Sequence, residues 1–421
     1  MSGLVKDNIF GSSGLVVEAA GGLSWQPVVT ASTTTVEAAK GYFINTTDNA
    51  CTITLPSSAT AGDQIILVDY ARTWGTNAIT IDSNGLNFQS SDDTYIVDYD
   101  TSGQALNLVY SGATVGWTPS SDIVNAFDHT APPTQKAIFG FGNDGSNVSI
   151  TNLVNSSGVV AADTTGVGTG RLALAATSYG GDKSIFGFGN YSSAVRSVTN
   201  LVSSSGVVAT DTTGVGTARS NLAASTYGLS GQALFGYGTA SDAFLSMTNL
   251  ISNSGVVATD TTGVGTGRSG LAATSYGLDK SIFGYGYTGD NVSVTNLVSN
   301  TGVVASDVTG VGTARRNLAA ASYGSDKAIF GYGYVSAIVS MSNLVSNSGV
   351  VASDVTGVGT ARQALAASSY GGDKAIFAYG NTGSVSSLSN LVSNSGVVAS
   401  DTAGVGTARG DLAAAGFSYA A

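Results

Sequence analysis

The chain has 421 residues, enough for two domains, with 57 Gly, only 10% charged residues and a formal net charge of −11. One cysteine, Cys51, excludes an internal disulfide framework, and with a single histidine, His129, it argues against a Zn or Cu site. No apolar run approaches the roughly 20 residues of a membrane helix, and Met1–Gly22 carries one Lys and no long apolar core, so it does not read as a signal peptide. The charge is uneven. Residues 136–421 hold 14 acids and 13 bases, whereas residues 1–135 hold 13 acids (27 − 14) and three bases (16 − 13). No basic footprint for nucleic acid results; the acidic first part is a solvated surface or meets a basic partner.

In chain order, residues 1–22 are small, Gly-rich and aperiodic, and read as an arm that is flexible or docked on a partner. Residues 23–121 form a separate β domain. Strands are predicted at Gly41–Asn45, Cys51–Leu55, Gln64–Val68, Ala78–Ile81 and Ala105–Tyr110, punctuated by Pro56-Ser-Ser, Asn84-Gly85 and Ser111-Gly112. Residues 122–135 read as a linker stiffened by Pro132-Pro133.

From residue 136 a unit of about 47 residues recurs six times. An Arg opens a small-residue run at Arg171, Arg219, Arg268, Arg315, Arg362 and Arg409, at spacings of 48, 49, 47, 47 and 47. An Asn recurs in N-L-[VI] at Asn152, Asn200, Asn249, Asn296, Asn343 and Asn390. An Asp recurs before [TA]-G-V-G-T at Asp163, Asp211, Asp260, Asp307, Asp354 and Asp401. Such a period signals a solenoid, propeller or array. Each unit breaks into four β-prone pieces, as in Asn317–Tyr323, Lys327–Gly333, Val339–Val345 and Gly349–Val355. Gly recurs too often for helix. The first unit, starting at Lys136, lacks the Arg-led strand, and Arg409–Phe417 supplies one extra such strand at the C-terminus. A closed six-bladed propeller uses that permutation; an open β-solenoid is the alternative.

The order R-x-x-Leu-Ala-Ala, Ile-Phe-Gly-Tyr-Gly, variable loop, Ser-x-x-Asn-Leu-Val resembles a degenerate kelch repeat. It departs from kelch in having Gly-Tyr-Gly or Gly-Phe-Gly for the paired glycines, and in having no Trp in the array, since the three are Trp25, Trp74 and Trp117. More closely, the units resemble the Gly/Ser/Thr-rich repeats of structural proteins from tailed phages, especially those of cyanobacteria. The stretch Gly41–Trp117, with G-Y-F-x-N-T-T, T-x-T-L-P and G-D-x-I-x-L-V-D-Y-A-R, is similar to a small β-sandwich module of phage tail-fibre and virion-associated proteins. The expected architecture is therefore all-β: an N-terminal β-sandwich-like module, then a six-bladed kelch-like β-propeller over residues 136–421, closed by the C-terminal strand. The resemblance implies a virion location, contact with other virion proteins through the N-terminal arm, and a homo-oligomer such as a trimer, with no nucleic-acid partner and no membrane insertion.

The repeated Arg and Asp occur once per unit, which argues for scaffolding by turn hydrogen bonds or ion pairs between neighbouring units. An enzyme needs a site that breaks the repetition, and the array has no His; no catalytic residue and no cofactor are expected. The informative variation lies in the loop between the second and third strands. It carries Asn143, Asp144 and Asn147 in the first copy, Tyr191 and Arg196 in the second, and Asp242 and Phe244 in the third. The fourth has Tyr287, Asp290 and Asn291, and the fifth Tyr334. Loops on a rigid frame are where binding lives, and aromatics with carboxylates suit a host-surface glycan or receptor; drift in unconstrained loops is the alternative. Asp92, Asp93, Asp98 and Asp100 cluster as oxygens a Ca²⁺ ion would want, without the spacing of a known Ca²⁺ loop. A purely structural role in the virion, without a receptor, is the second functional reading.

Overall fold

The computed structural model describes residues 23–91, 96–121, 129–130 and 134–419, all of them strand, turn or irregular chain. No helix among them is long and apolar enough to cross a membrane. The chain divides into two compact units, Met1–Thr130 and Ala131–Ala421.

Among its described residues the first unit has ten strands: β1 (Ser24–Trp25), β2 (Thr33–Thr35), β3 (Lys40–Ile44), β4 (Cys51–Thr54), β5 (Gln64–Asp69), β6 (Ile79–Asp82), β7 (Ile96–Tyr99), β8 (Ala105–Tyr110), β9 (Trp117–Pro119) and β10 (His129–Thr130). They form two five-stranded sheets, ordered β1-β3-β5-β8-β9 and β10-β7-β6-β4-β2. From β1 to β6 the chain alternates between the sheets and neighbours within each sheet run parallel, so this part winds as a coil. Each of the five predicted strands lies within two residues of an observed one. Alternation along each strand puts Tyr42, Ile44, Ile65, Leu67, Leu106 and Leu108 from one sheet against Cys51, Ile53, Ile79, Ile81, Val97 and Tyr99 from the other, in a single core closed by Trp74 and Trp117. Within the span read as a linker, His129–Thr130 pairs with β7.

In the second unit six three-stranded antiparallel sheets follow one another. Five take their three strands from one continuous stretch of chain, as in Ala223–Tyr227, Gln232–Gly236 and Thr248–Ile251. The remaining sheet combines Lys136–Gly140 and Thr151–Val154 with the C-terminal Ala413–Phe417, in the register Lys136↔Phe417 to Gly140↔Ala413. The fourth piece of each unit is not a strand. It touches the third strand through two isolated bridges, such as Ser342↔Val355 and Val345↔Val351. The Ser-Gly turn returns it out of register with a continuous ladder, and the Gly-rich stretch after the Asp then takes it away to the next unit.

The first strands lie side by side in the order 175–179, 223–227, 272–276, 319–323, 366–370, 413–417, and the last lies beside the first. Their residues at alternate positions, Ala176, Ala224, Ala273, Ala320, Ala367 and Ala414, and then Ser178, Thr226, Ser275, Ser322, Ser369 and Gly416, line one narrow cavity of about 70 Å³. Only small side chains fit where six strands converge. The residues that precede these strands add a backbone cycle. Ala173 N–H donates to Asp411 O, Asp411 to Ala364, Ala364 to Asn317, Asn317 to Gly270, Gly270 to Asn221 and Asn221 to Ala173, at 2.8–3.0 Å. All six residues have φ between 52° and 58°, a left-handed conformation that costs a non-Gly residue about 1 kcal/mol and persists only where its surroundings fix it.

Between adjacent sheets the middle strands supply aromatic pairs. Phe141 meets Phe186, Phe188 meets Phe235, Tyr237 meets Phe283, Tyr285 meets Phe330, Tyr332 meets Phe377, and Tyr379 meets Phe139, with centroids 4.9–5.5 Å apart. In five of the six units the first Gly of Gly-[Phe/Tyr]-Gly makes this approach possible, since a Cβ on Gly236 would sit 2.6 Å from the Phe283 ring; in the sixth, Ala378 takes that place and the Tyr379–Phe139 pair is the widest at 5.5 Å.

Removing Arg409–Ala421 takes one strand from the first sheet and opens the backbone cycle at Asp411. We expect a large fall in melting temperature and a broad, non-cooperative transition by calorimetry, whereas trimming only Ala420 and Ala421 leaves melting unchanged. The six core clusters of the second unit contain only residues from 137 onward. Residues 131–421 expressed alone are accordingly expected to melt in one cooperative transition.

Candidate functional site

The recurring Arg, Asn and Asp meet in one cluster per unit, the Arg and Asn fully buried and the Asp partly exposed at its rim, and this cluster fixes the loops above it. In the third sheet Arg219, fully buried, donates from Nε to Tyr237 O (2.8 Å), from Nη1 to Thr217 O (3.1 Å) and from Nη2 to Asn249 Oδ1 (2.7 Å). Its guanidinium stacks 4.3 Å from the ring of Phe188 in the preceding sheet. Asn249 in turn donates to Ala258 O and to Asp260 Oδ1. Asp260 also accepts from the Thr217 N–H and from Thr217 Oγ1 (2.7 Å), and lies 3.9 Å from the guanidinium. A Cβ on Gly216 (φ 79°) would fall 2.4 Å from the Asp260 carboxylate, so the second Gly of G-V-G-T leaves room for this contact. The same cluster closes the first sheet across the chain ends. Arg409 donates to Phe141 O and Asn152 Oδ1, Thr407 donates to Asp163, and Arg409 stacks on Tyr379.

Burial pulls the Arg171 and Arg219 guanidinium groups down to about 10. Burial works against ionisation of Asp163, Asp211, Asp260, Asp307, Asp354 and Asp401, but the Thr and Asn hydrogen bonds, with the Arg charge, outweigh it and hold all six below the ordinary 3.8.

With the frame fixed, the loop between middle and third strand emerges as a short hairpin in every unit. Hairpins pair at Asn143↔Asn147, Asn190↔Val195, Thr239↔Phe244, Tyr287↔Asn291, Tyr334↔Ile338 and Asn381↔Val385. The first residue of each also bridges the residue that follows an array Arg: Gly410, Leu172, Ser220, Ser269, Arg316 and Gln363 in turn. These hairpins and the Arg-led connections occupy one end of the sheets. The turns of the opposite end carry Asp-Lys pairs such as Asp326–Lys327 (2.9 Å), and Gln135 bonds Ser418 and Gly371 there.

Three consecutive hairpins are joined by their side chains. Phe244 meets Tyr287 edge to face at 5.8 Å. Arg316 lies 4.4 Å from the Tyr287 ring centroid and 5.1 Å from that of Tyr334. Asn291 reaches across to donate to Val335 O (2.7 Å) and Tyr334 O (3.4 Å). The result is a half-buried ridge, Phe244–Tyr287–Arg316–Tyr334, with exposed Asp242 and Asp290 on the hairpin tips. Tyr191 and Arg196 form a separate exposed pair at 5.8 Å. Asn143, Asp144 and Asn147 satisfy one another's turn: Asn143 Oδ1 accepts from Gly145 N–H, Asp144 Oδ1 from Ser146 N–H, and Asn143 Nδ2 faces Asn147 Oδ1 at 3.4 Å.

Arg316 is the ridge member that the loop comparison passes over, because it lies outside the loops. The signal was the doublet Arg315-Arg316, where the other copies read Arg-Leu, Arg-Ser, Arg-Ser, Arg-Gln and Arg-Gly. Of the four clustered aspartates, Asp98 accepts from Thr80 Oγ1 (2.6 Å), Asp100 is exposed, and Asp92 and Asp93 lie outside the described residues. Among the described residues no group of three His, Cys, Asp or Glu could hold a metal ion. No protein-family model matches the chain, and no curated protein resembles it in sequence.

Asp260→Ala deprives Thr217 and Asn249 of their acceptor, and we expect it to cost about 1–3 kcal/mol in denaturant unfolding. The folded carboxylates titrate below their unfolded value. Their contribution is therefore complete above pH about 4 and is lost as the pH falls through the folded value. The wild type is expected to lose stability in acid over that range, and Asp260→Ala to lose less.

Proposed function

We propose that the six sheets form a six-bladed β-propeller, and that the protein is a non-catalytic structural component of a tailed-phage particle that attaches to a host-surface glycan through the ridge. The observation that carries the attachment reading is the break in six-fold repetition. Units that share their Arg, Asn, Asp and Gly nearly residue for residue differ at the hairpins, and three adjacent hairpins build one continuous aromatic and cationic surface. Variation on a rigid frame is where binding surfaces are found. Aromatic side chains offer contact area at small entropic cost. The propeller geometry is supported by the closed cycle of backbone bonds and by the cyclic contact of the first strands. The phage setting, with a virion-docked N-terminal arm and a trimeric assembly, is what the resemblance read from the motifs of Gly41–Trp117 and of the repeats implies.

The test is co-sedimentation with envelope preparations from a panel of bacteria, cyanobacteria included. Wild type is expected to sediment with the host's envelope. Phe244→Ala/Tyr287→Ala/Tyr334→Ala is expected to stay in solution, and Ser325→Ala/Asn347→Ala, at the opposite end, to behave as wild type. Equal sedimentation of all three removes recognition from the ridge. Absence of binding by wild type across the panel favours a structural role without a receptor.

A further inference from the structure

The charges of the second unit can be assigned almost completely. Of its 13 bases, six arginines are buried in the repeated clusters, and Lys183, Lys280, Lys327 and Lys374 each pair with the preceding Asp. Lys136, Arg196 and Arg316 remain, and both arginines stand at the hairpin end. Arg316 has no carboxylate oxygen within 4 Å among the described residues.

Its surroundings also decide which part of it is available. The guanidinium lies over the rings of both Tyr287 and Tyr334, 4.4 and 5.1 Å from their centroids. Rings on a guanidinium's faces leave its N–H donors at the edge, in the plane of the group. The same contact covers one face of each tyrosine ring. The guanidinium N–H groups are the donors the ridge offers in fixed positions, and the phenol hydroxyls can donate or accept. A planar fork of donors held in one orientation matches a two-oxygen anion better than a neutral hydroxyl. Asp242 and Asp290, on the neighbouring tips, provide acceptors for sugar hydroxyls.

We propose that the ridge takes an acidic glycan, with an oxyanion of the sugar chain, carboxylate or sulfate, held by the edge of Arg316. This rests on the glycan-attachment reading above and narrows it to a charged ligand class.

The experiment is calorimetric titration of the full chain with four soluble polymers: polygalacturonate, its carboxyl-reduced form, dextran sulfate and unmodified dextran. Polygalacturonate or dextran sulfate is expected to bind, the carboxyl-reduced polymer and dextran not to. Raising the salt is expected to weaken the interaction. Arg316→Gln is expected to lose about tenfold or more in affinity, and Arg316→Lys, which keeps the charge and loses the fork, to fall between. Arg196→Gln reports whether any cation at this end suffices; an equal loss there overturns the assignment to Arg316. Binding of the sulfated polymer alone identifies the oxyanion as a sulfate. Equal binding of charged and uncharged polymers overturns the inference while leaving glycan attachment standing. Failure of all four polymers to bind, with the host envelope still bound, does the same and directs the search to neutral or protein receptors. Failure of both polymers and envelope removes the attachment reading as well. Melting curves of each variant exclude loss of fold as the cause.

Discussion

The second unit depends on burying six guanidinium groups. A buried charge is costly unless its donors are met and a counter-charge is near, and here an Asn carboxamide, backbone carbonyls, an aromatic face and a carboxylate supply the partners, with the Nε of Arg362 the one such nitrogen left without an acceptor among the described residues. The requirement is strict enough to account for most of the invariant positions. The Asn orients the Asp, the Asp accepts from the Thr, and the Gly before that Thr leaves space for the carboxylate. The aromatic between two glycines presents its face to the next unit's Arg. Because each Arg stacks on the sheet before its own, the interaction that completes a sheet also joins it to its neighbour.

The same coupling explains what was legible in the sequence. Arg, Asn and Asp were visible as landmarks because the cluster uses the same three side chains in all six units, and their once-per-unit occurrence pointed to scaffolding rather than chemistry. The missing first strand of the first unit could be matched with the surplus strand at Arg409–Phe417 by counting alone. The fourth piece of each unit read as a strand since Val350, Val351 and Val355 have β propensity, but propensity does not reveal whether a ladder partner lies in register. In the first unit the apolar alternation located the strands. It could not tell parallel from antiparallel neighbours, which show the same period, so the coil from β1 to β6 was not readable.

The ridge was half legible. Tyr287, Tyr334 and Phe244 stood out because their loops vary while the flanks do not. Arg316 did not, because it follows an invariant residue and belongs to the connection into the next first strand. Sequence comparison within the repeat ranks positions by variability, whereas the ridge is assembled by a bridge between Arg316 and Tyr334 that joins two segments separated in the chain. The spatial neighbourhood of a variable position, not its variability, is what decides whether it contributes to a surface.

The pairing of Lys136–Gly140 with Ala413–Phe417 has a consequence for biosynthesis. The first sheet is among the earliest parts of the second unit to leave the ribosome, yet its third strand is the last to appear. Until then Ile138 and Phe139, fully buried in the finished structure, lie beside an unpaired strand edge. A contact of such large sequence separation forms slowly, and an open edge of this kind pairs with whatever suitable strand arrives first. Where many copies are made side by side, that strand can come from a neighbouring chain, giving two molecules that have exchanged the strand Ala413–Phe417.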